Sequence, residues 1–294
     1  MRILFINTGI HHKNKEAFYG YNFDLTEITD INNLKNINIQ EYDAVYSPSA
    51  LVDTTAYPDT IFLFGPHFFV FPDERIQRMK QKNTVYIQPS DWASSSIEIF
   101  PISRDVVIKS VPFAVNTQKF KSDIKNSDRE NVFVYFKNRN PNELKYVETF
   151  LKDKNINYKV ISYEKKYNEN DYLEYIKNSK YGIWVGRHES QGFALQEALS
   201  CNVPLLVWDV KSMSQEYNYN YPNIYATTIP YWDSNCGMVF FEENQLEDSY
   251  NIFLKNLSTF SPRKYIVDNL STDKCKQRFI DVINEMKRLN TNKN

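Results

Sequence analysis

Glycine is scarce in this chain, with seven in 294 residues against a usual share of about 7%. No G-x-G-x-x-G occurs, so the dinucleotide fingerprint is absent. Asn, Lys, Ile, Tyr and Phe abound instead, a compositional bias of the source genome. Cysteine is scarcer still. Cys201, Cys236 and Cys275 are odd in number and lack C-x-x-C or His-paired spacing, which argues against a disulfide framework and a structural zinc site and points to a reducing, cytoplasmic setting. Charge of one sign is missing too. With 35 basic and 36 acidic side chains and a formal net charge of −1, no overall field draws the protein to nucleic acid or an anionic membrane. No apolar run is long enough to span a bilayer, and the first one, Met1 to Asn7, is too short for a signal peptide. It reads as the first strand of the fold. His11-His12 lacks the further ligands that a metal site needs.

What is present is 42% hydrophobic and 24% charged residues, ordinary for a globular protein and enough for two modest cores. Short apolar runs alternate with amphipathic stretches, the pattern of an α/β protein with parallel sheets. In the first half the runs are 2–6, 43–46, 60–64, 84–87 and 105–108, each followed by turn residues, and Ser90 or Asp91 is placed to cap a helix through Trp92 to Ile99. The polar stretch Lys121 to Glu130 reads as a connection between domains. The spacing therefore predicts an N-terminal domain over 1–120, a second over 121–265, and a terminal helical segment over 266–294. The second half restarts with a strand at 131–136, a helix from Asn142 to Lys152 opened by Pro141, a strand at 158–161 and a helix from Glu169 to Asn178. A further apolar stretch covers 224–231, a strand 237–241, and a helix 247–257. The stripe Phe279, Ile280, Val282, Ile283 and Met286 in the last helix, 273–286, reads as core. The tail from Asn290 is expected to be disordered.

The segment of greatest functional weight is Gly186-Arg187-His188-Glu189-Ser190-Gln191-Gly192-Phe193-Ala194-Leu195-Gln196-Glu197-Ala198-Leu199-Ser200-Cys201-Asn202-Val203-Pro204. It lies between two apolar runs, 181–185 and 204–208, suited to buried parallel strands. This βαβ unit would carry a ligand site at the strand's carboxyl end and the helix's amino end. With the helix opening at Glu189 and Ser190, about 1.5 Å of rise per residue puts the two carboxylates roughly 12 Å apart along its axis, a match to a long ligand. Backbone N–H groups near Ser190, Gln191, Gly192 and Phe193 could hold a diphosphate between them.

Glu189, seven residues, Glu197 and the Ala-Leu-Ser-Cys-Asn-Val-Pro exit resemble the E-x7-E segment of GT-B glycosyltransferases, most closely the family 4 retaining enzymes. The resemblance implies two Rossmann-like domains with parallel sheets facing a central cleft. It also implies transfer of a sugar from a nucleotide diphosphate sugar, with Glu189 against the donor sugar and Glu197 on the ribose hydroxyls. A basic pair after the first strand of the second domain holds the diphosphate in that family. Lys137 and Arg139 stand there, in Phe136-Lys137-Asn138-Arg139-Asn140-Pro141 instead of the usual Gly-Arg opening, so which basic residues take the role is open. Gly9, after the first strand, resembles the glycine loop that approaches the diphosphate.

His67, in Phe64-Gly65-Pro66-His67, is the histidine best placed to hydrogen-bond the sugar or move a proton, or else it is a packed histidine. His188 is a candidate to orient the loop. Asp-x-Asp, the metal-bridging motif of the other major glycosyltransferase fold, does not occur, so a metal-independent site without a cofactor is expected, the nucleotide sugar being co-substrate. The acceptor is open among a glycan, a protein, a lipid and a small molecule. A nucleotide-sugar epimerase on the same fold, and a catalytically degenerate nucleotide- or glycan-binding module, are the alternative readings.

Overall fold

The computed structural model describes residues 1–165 and 167–291. The chain divides into two compact units, Met1–Ala114 joined by the segment beginning at Thr272, and Val115–Ser271.

The first unit is built on a six-stranded parallel sheet: β1 (Arg2–Ile6), β2 (Asp24–Ile28), β3 (Ala44–Ser47), β4 (Ile61–Phe64), β5 (Thr84–Gln88) and β6 (Ile108–Ser110), in the order β2-β1-β3-β4-β5-β6. β3, β4 and β5 are buried along their whole length. That is why they read as unbroken apolar runs instead of alternating ones: helices and loops cover both sheet faces. Helices α1 (His12–Tyr19) and α2 (Asp91–Glu98) follow β1 and β5. The last helix, Thr272–Thr291, belongs to this unit and buries Cys275, Phe279, Val282, Ile283 and Met286. Its Phe279 ring lies 5.5 Å from both Phe18 and Tyr46, and Tyr46 stacks on Phe5. Asn290 and Thr291 are helical, not disordered; the remainder of the expected tail lies outside the described residues.

The second unit repeats the plan. β7 (Asn131–Lys137), β8 (Lys159–Ser162), β9 (Ser179–Gly186), β10 (Leu205–Trp208) and β11 (Gly237–Phe240) form a parallel sheet in the order β8-β7-β9-β10-β11. Helices α3 (Pro141–Asp153), α4 (Glu169–Lys177), α5 (Phe193–Ser200), α6 (Leu246–Lys255) and α7 (Pro262–Leu270) accompany it. Asn140 and Glu143 cap α3 reciprocally, with Pro141 in its first turn. Two buried or half-buried arginines tie the entering chain to this unit: Arg129 donates to Ile124 O, Ser179 O and Asn202 O, and Arg263 to Thr117 O, Phe120 O and Ser200 O.

Three elements escape sequence patterning, and one expected apolar stretch forms no strand. β2 is an edge strand with a single fully buried residue, Ile28, so it shows no apolar run. α1 buries only Asn14 and Phe18. α7 buries Pro262, Ile266 and Leu270 at four-residue intervals, too sparse a stripe to stand out. The stretch 224–231 makes only an isolated antiparallel bridge, Ser212 to Tyr225.

In both sheets the first strand of the unit has the second on one side and the third on the other. Chain direction across the sheet reverses there, so the loops leaving these two strands diverge and open a crevice at their carboxyl ends. In the first unit this lies beyond β1 and β3; in the second, beyond β7 and β9.

Candidate active site

Lys137 and Glu189 meet at the crevice of the second sheet. Along β7 the pleat sends Val132, Val134 and Phe136 into one core, and Phe133, Tyr135 and Lys137 to the other face. Tyr135 stacks on Trp184 of β9 at 3.8 Å. Lys137, in register with Gly186, continues that face past the apolar rings to the mouth. Its Nζ lies 2.6 Å from Glu189 Oε1, the side chains being 12% and 17% exposed, and 4.4 Å from the centre of the Tyr163 ring. An ion pair so sparingly hydrated is electrostatically stronger than one on an open surface.

The loop carrying Glu189 is held at both ends. Arg187 N donates to Lys137 O, and Glu189 N to Thr227 O. Gly192, at φ +79°, forms the N-cap of α5; a side chain there would meet nothing closer than 3.6 Å, so the left-handed backbone alone selects glycine. Gln191 and Gln196 bond each other twice, through Gln191 Nε2 to Gln196 Oε1 and Gln196 Nε2 to Gln191 O. Ser190 is exposed, Gln191 and Gly192 are buried, and Phe193 is half-buried.

The helix therefore starts at Phe193, not at Glu189. Glu189 stands in the preceding loop, so the separation of the two carboxylates is not an axial rise along one helix. Glu197 is in α5 and 3% exposed. It lies near Tyr172, whose hydroxyl donates to Ala194 O and is held well above its usual pKa by burial first, then by Tyr167 and Glu197.

Arg139 takes a different place from Lys137. It is 1% exposed, with Nε and Nη2 on the two oxygens of Glu143 at 2.9 and 2.7 Å and Nη1 on Gly186 O and Trp208 O at 3.1 and 3.0 Å. Four of its five N–H donors are thus engaged, fastening the ends of β9 and β10 to the start of α3. The structure brings Lys137 and Glu189 together ahead of the Ser190–Phe193 turn and leaves the Arg139 guanidinium buried on Glu143, Gly186 O and Trp208 O.

Sequence patterning missed a second polar cluster beside this one. Glu216, 4% exposed, accepts from Asn138 Nδ2 at 2.9 Å, Arg187 Nη1 at 3.3 Å and faces His188 Nε2 at 3.0 Å. Burial alone would raise its pKa; His188, Asn138 and Arg187 together bring it below the usual value. Asp209, at the end of β10, accepts from Thr227 Oγ1, Thr228 N and Val210 N, while burial outweighs these bonds and raises its pKa. Thr228 Oγ1 returns to Gly186 O. The signal for Glu216 was faint: a lone acid in a Tyr/Asn-rich stretch, brought in only by the loop's return. The three thiols are buried and pushed up to about 12 by that burial, so they remain protonated at neutral pH.

In the first unit Gly9 is exposed beyond β1, where Thr8 Oγ1 and Ser49 Oγ lie 3.0 Å apart across the crevice between β1 and β3. His67 follows β4. Gly65 before it has φ +104°, and a Cβ there would come within 2.4 Å of Ile87 O, so only glycine makes this turn. His67 Nε2 lies 3.0 Å from Asn14 Nδ2. Burial, then the neighbouring His11, lowers the His67 pKa to about 4, so the ring is neutral at physiological pH. Among the described residues no group of three His, Cys, Asp or Glu side chains could hold a metal ion, and no helix is long and apolar enough to cross a membrane.

No protein-family model matches the chain, and neither does any curated protein sequence. Solved structures do. Sucrose-phosphate synthase from Thermosynechococcus elongatus superposes with a TM-score of 0.56 at 10% identity, over 97% of this chain and 99% of that one. TarM is similar over 77% of this chain and 55% of its own, with a TM-score of 0.42 and 13% identity, and a chain of the GtfA/B complex over 97% and 57%, with a TM-score of 0.46 and 11% identity. The match over nearly the whole of both chains, with two parallel sheets of six and five strands, shows the GT-B fold.

Proposed function

Proceeding from that fold, we propose that the protein transfers a sugar from a nucleotide diphosphate sugar to an acceptor hydroxyl. The observation that carries the reading is the Lys137–Glu189 ion pair at the crevice between β7 and β9, ahead of the Gly192 turn into α5. An ammonium, a carboxylate and the backbone N–H groups opening a helix are the three kinds of group that a sugar diphosphate requires at adjacent points.

In this reading the diphosphate, with its larger negative charge, takes the Lys137 ammonium from Glu189. Glu189 then accepts hydrogen bonds from the sugar. As the bond from C1 to the diphosphate oxygen breaks, its electron pair goes to that oxygen, and Lys137 neutralises the growing charge. The acceptor oxygen bonds to C1 and gives its proton to the departing diphosphate oxygen. Arg139 acts as a positioning residue that holds the two strand ends bearing the loops, and Glu197 lies toward the ribose. Ser190, Gln191, Gly192 and Phe193 supply backbone donors. Gly9 and His67 are assigned to the substrate-facing crevice of the first unit, His67 as a neutral hydrogen-bonding group. Retention of configuration is carried over from the family 4 resemblance, and independence from metal from the absence of Asp-x-Asp.

The test is a panel of nucleotide diphosphate sugars scored by thermal shift, since a ligand of the folded state raises stability by RT ln(1 + [L]/Kd). Stabilising donors are then assayed for hydrolysis, transfer and isomerisation with and without a chelator. Donor hydrolysis or transfer that persists in chelator is the expected result. Isomer formation alone would make the protein an epimerase, and binding without turnover a binding module.

A further inference from the structure

Between Ser212 and Ala226 the chain leaves the second sheet as a loop rich in tyrosine. Tyr217, Tyr219, Tyr221 and Tyr225 are interleaved with Asn218, Asn220 and Asn223, and no Lys or Arg occurs between Lys211 and Lys255. Tyr217, Tyr219 and Tyr225 are 40%, 53% and 66% exposed. Large rings are ordinarily withdrawn from water, and an exposed cluster of them marks a contact surface.

The loop is built, not loose. Met213 N donates to Ile224 O at 2.9 Å, Ser212 bridges Tyr225, and Ser212 and Gln215 cap each other reciprocally. Tyr217 N donates to Asn138 O, one residue beyond Lys137, and Glu216 is locked by Asn138, Arg187 and His188. Asn218, at φ +65°, turns the backbone between Tyr217 and Tyr219. The Tyr219 and Tyr221 rings stack with centroids 5.4 Å apart and planes within 9°, and Tyr221 meets His188 edge-on. The loop backbone and the Tyr219–Tyr221 pair are thus held before any partner arrives, which lowers the entropic cost of binding.

Chemistry selects the partner. Single-stranded nucleic acid also stacks on aromatic rings, but it needs a basic groove for its backbone, and anionic lipid needs clustered Lys or Arg; the loop has neither. Alternating phenol rings and carboxamides suit a neutral polyol: rings take the C–H faces of a pyranose, while amides and phenols take its hydroxyls. Tyr219 and Tyr225 are exposed, so a chain held on them stays open to solvent along its length, as an extended acceptor does and a fully enclosed donor sugar does not.

We propose that the Tyr217–Tyr225 loop is a platform for a neutral glycan acceptor, whose pyranose rings stack on the exposed tyrosines beside the donor crevice. This identifies the acceptor class within the glycosyltransferase reading and rests on it. The full chain is titrated with neutral hexasaccharides of α-1,4-glucose, β-1,4-glucose, β-1,4-N-acetylglucosamine and α-1,6-mannose, read by saturation-transfer NMR and calorimetry, with oligo-dT and phosphatidylglycerol vesicles in parallel. At least one hexasaccharide should bind, Tyr219→Ala should weaken it tenfold or more, and Tyr219→Phe, which keeps the ring, should stay within about threefold of wild type.

The proposal is overturned if no hexasaccharide binds, if the Tyr219→Ala/Tyr225→Ala protein binds as well as wild type, or if oligo-dT or vesicles are held through these tyrosines. Titration of nucleoside diphosphates onto the same proteins separates the two readings. Unchanged diphosphate affinity with a failed platform sinks the acceptor assignment alone. A bound hexasaccharide that depends on Tyr219, with no nucleoside diphosphate bound, sinks the transferase reading and leaves the platform standing.

Discussion

Replacing Arg139 with Met separates the two basic residues that the sequence set side by side. Arg139 makes four hydrogen bonds from a site 1% exposed. Breaking a buried ion pair by removing one partner costs about 3–5 kcal/mol, and hydrogen bonds to charged groups are worth about 1.5–3 kcal/mol each. Two mitigations act here. Glu143 is 22% exposed, so water recovers part of its charge, and Gly186 O keeps the Thr228 hydroxyl. Met also fills much of the vacated volume. The net loss should be about 3 kcal/mol, which at about 2–4 °C per kcal/mol for a domain of this size lowers Tm by roughly 6–12 °C. Adding Glu143→Gln should recover part of it, because the amide leaves no stranded charge and keeps an acceptor for Asn140 N at the α3 cap.

Calorimetry gives Tm, and titration with nucleoside diphosphate below the transition gives Kd. For Arg139→Met the expected Kd stays within about threefold of wild type. Lys137→Ala should instead weaken diphosphate binding by about 10- to 100-fold, the value of one charge-assisted contact, and also lower Tm, because it takes the ammonium from a Glu189 carboxylate only 17% exposed. An Arg139→Met protein that melts with wild type yet loses diphosphate affinity would put the guanidinium on the diphosphate and not in the strand-end anchor.

Glu189→Gln should lower donor turnover by at least about tenfold, or roughly 1.4 kcal/mol of barrier, while diphosphate affinity holds or rises because Lys137 is released; a parallel fall in both quantities would remove Glu189 from the reaction. Gly192→Ala places an L side chain at φ +79° without a close contact and should cost about 1–2 kcal/mol in urea denaturation, a much larger loss pointing to packing instead of backbone strain. His67 titrates near 4 in the folded protein against 6.5 for an ordinary histidine. As pH falls below about 6.5 the unfolded chain takes up a proton that the folded one refuses until about 4, so this group's stability contribution is present above 6.5 and lost toward 4, at up to about 1.4 kcal/mol per pH unit. His67→Gln should flatten that part of the stability curve, and parallel curves for the two proteins would contradict the burial of the ring.

The parallel α/β architecture follows from local pattern alone, because strands buried on both faces must be apolar throughout, as Ile61 to Phe64 and Leu205 to Trp208 are. The same pattern located the Glu189–Glu197 segment between two strands, since Gly192 and the apolar runs mark the turn and its flanks locally. Tertiary structure decided what local pattern cannot encode. Lys137 and Arg139 are two residues apart and chemically alike, yet the pleat sends Lys137 to the crevice, while the cap of α3 draws Arg139 inward to Glu143 and two strand-end carbonyls. Glu216 joins Arg187 and His188 only because its loop returns to Asn138. The edge strand β2 and the helices α1 and α7 were invisible for a related reason: each buries a few side chains against partners distant in sequence, so its stability comes from packing and leaves almost no periodic trace in its own residues.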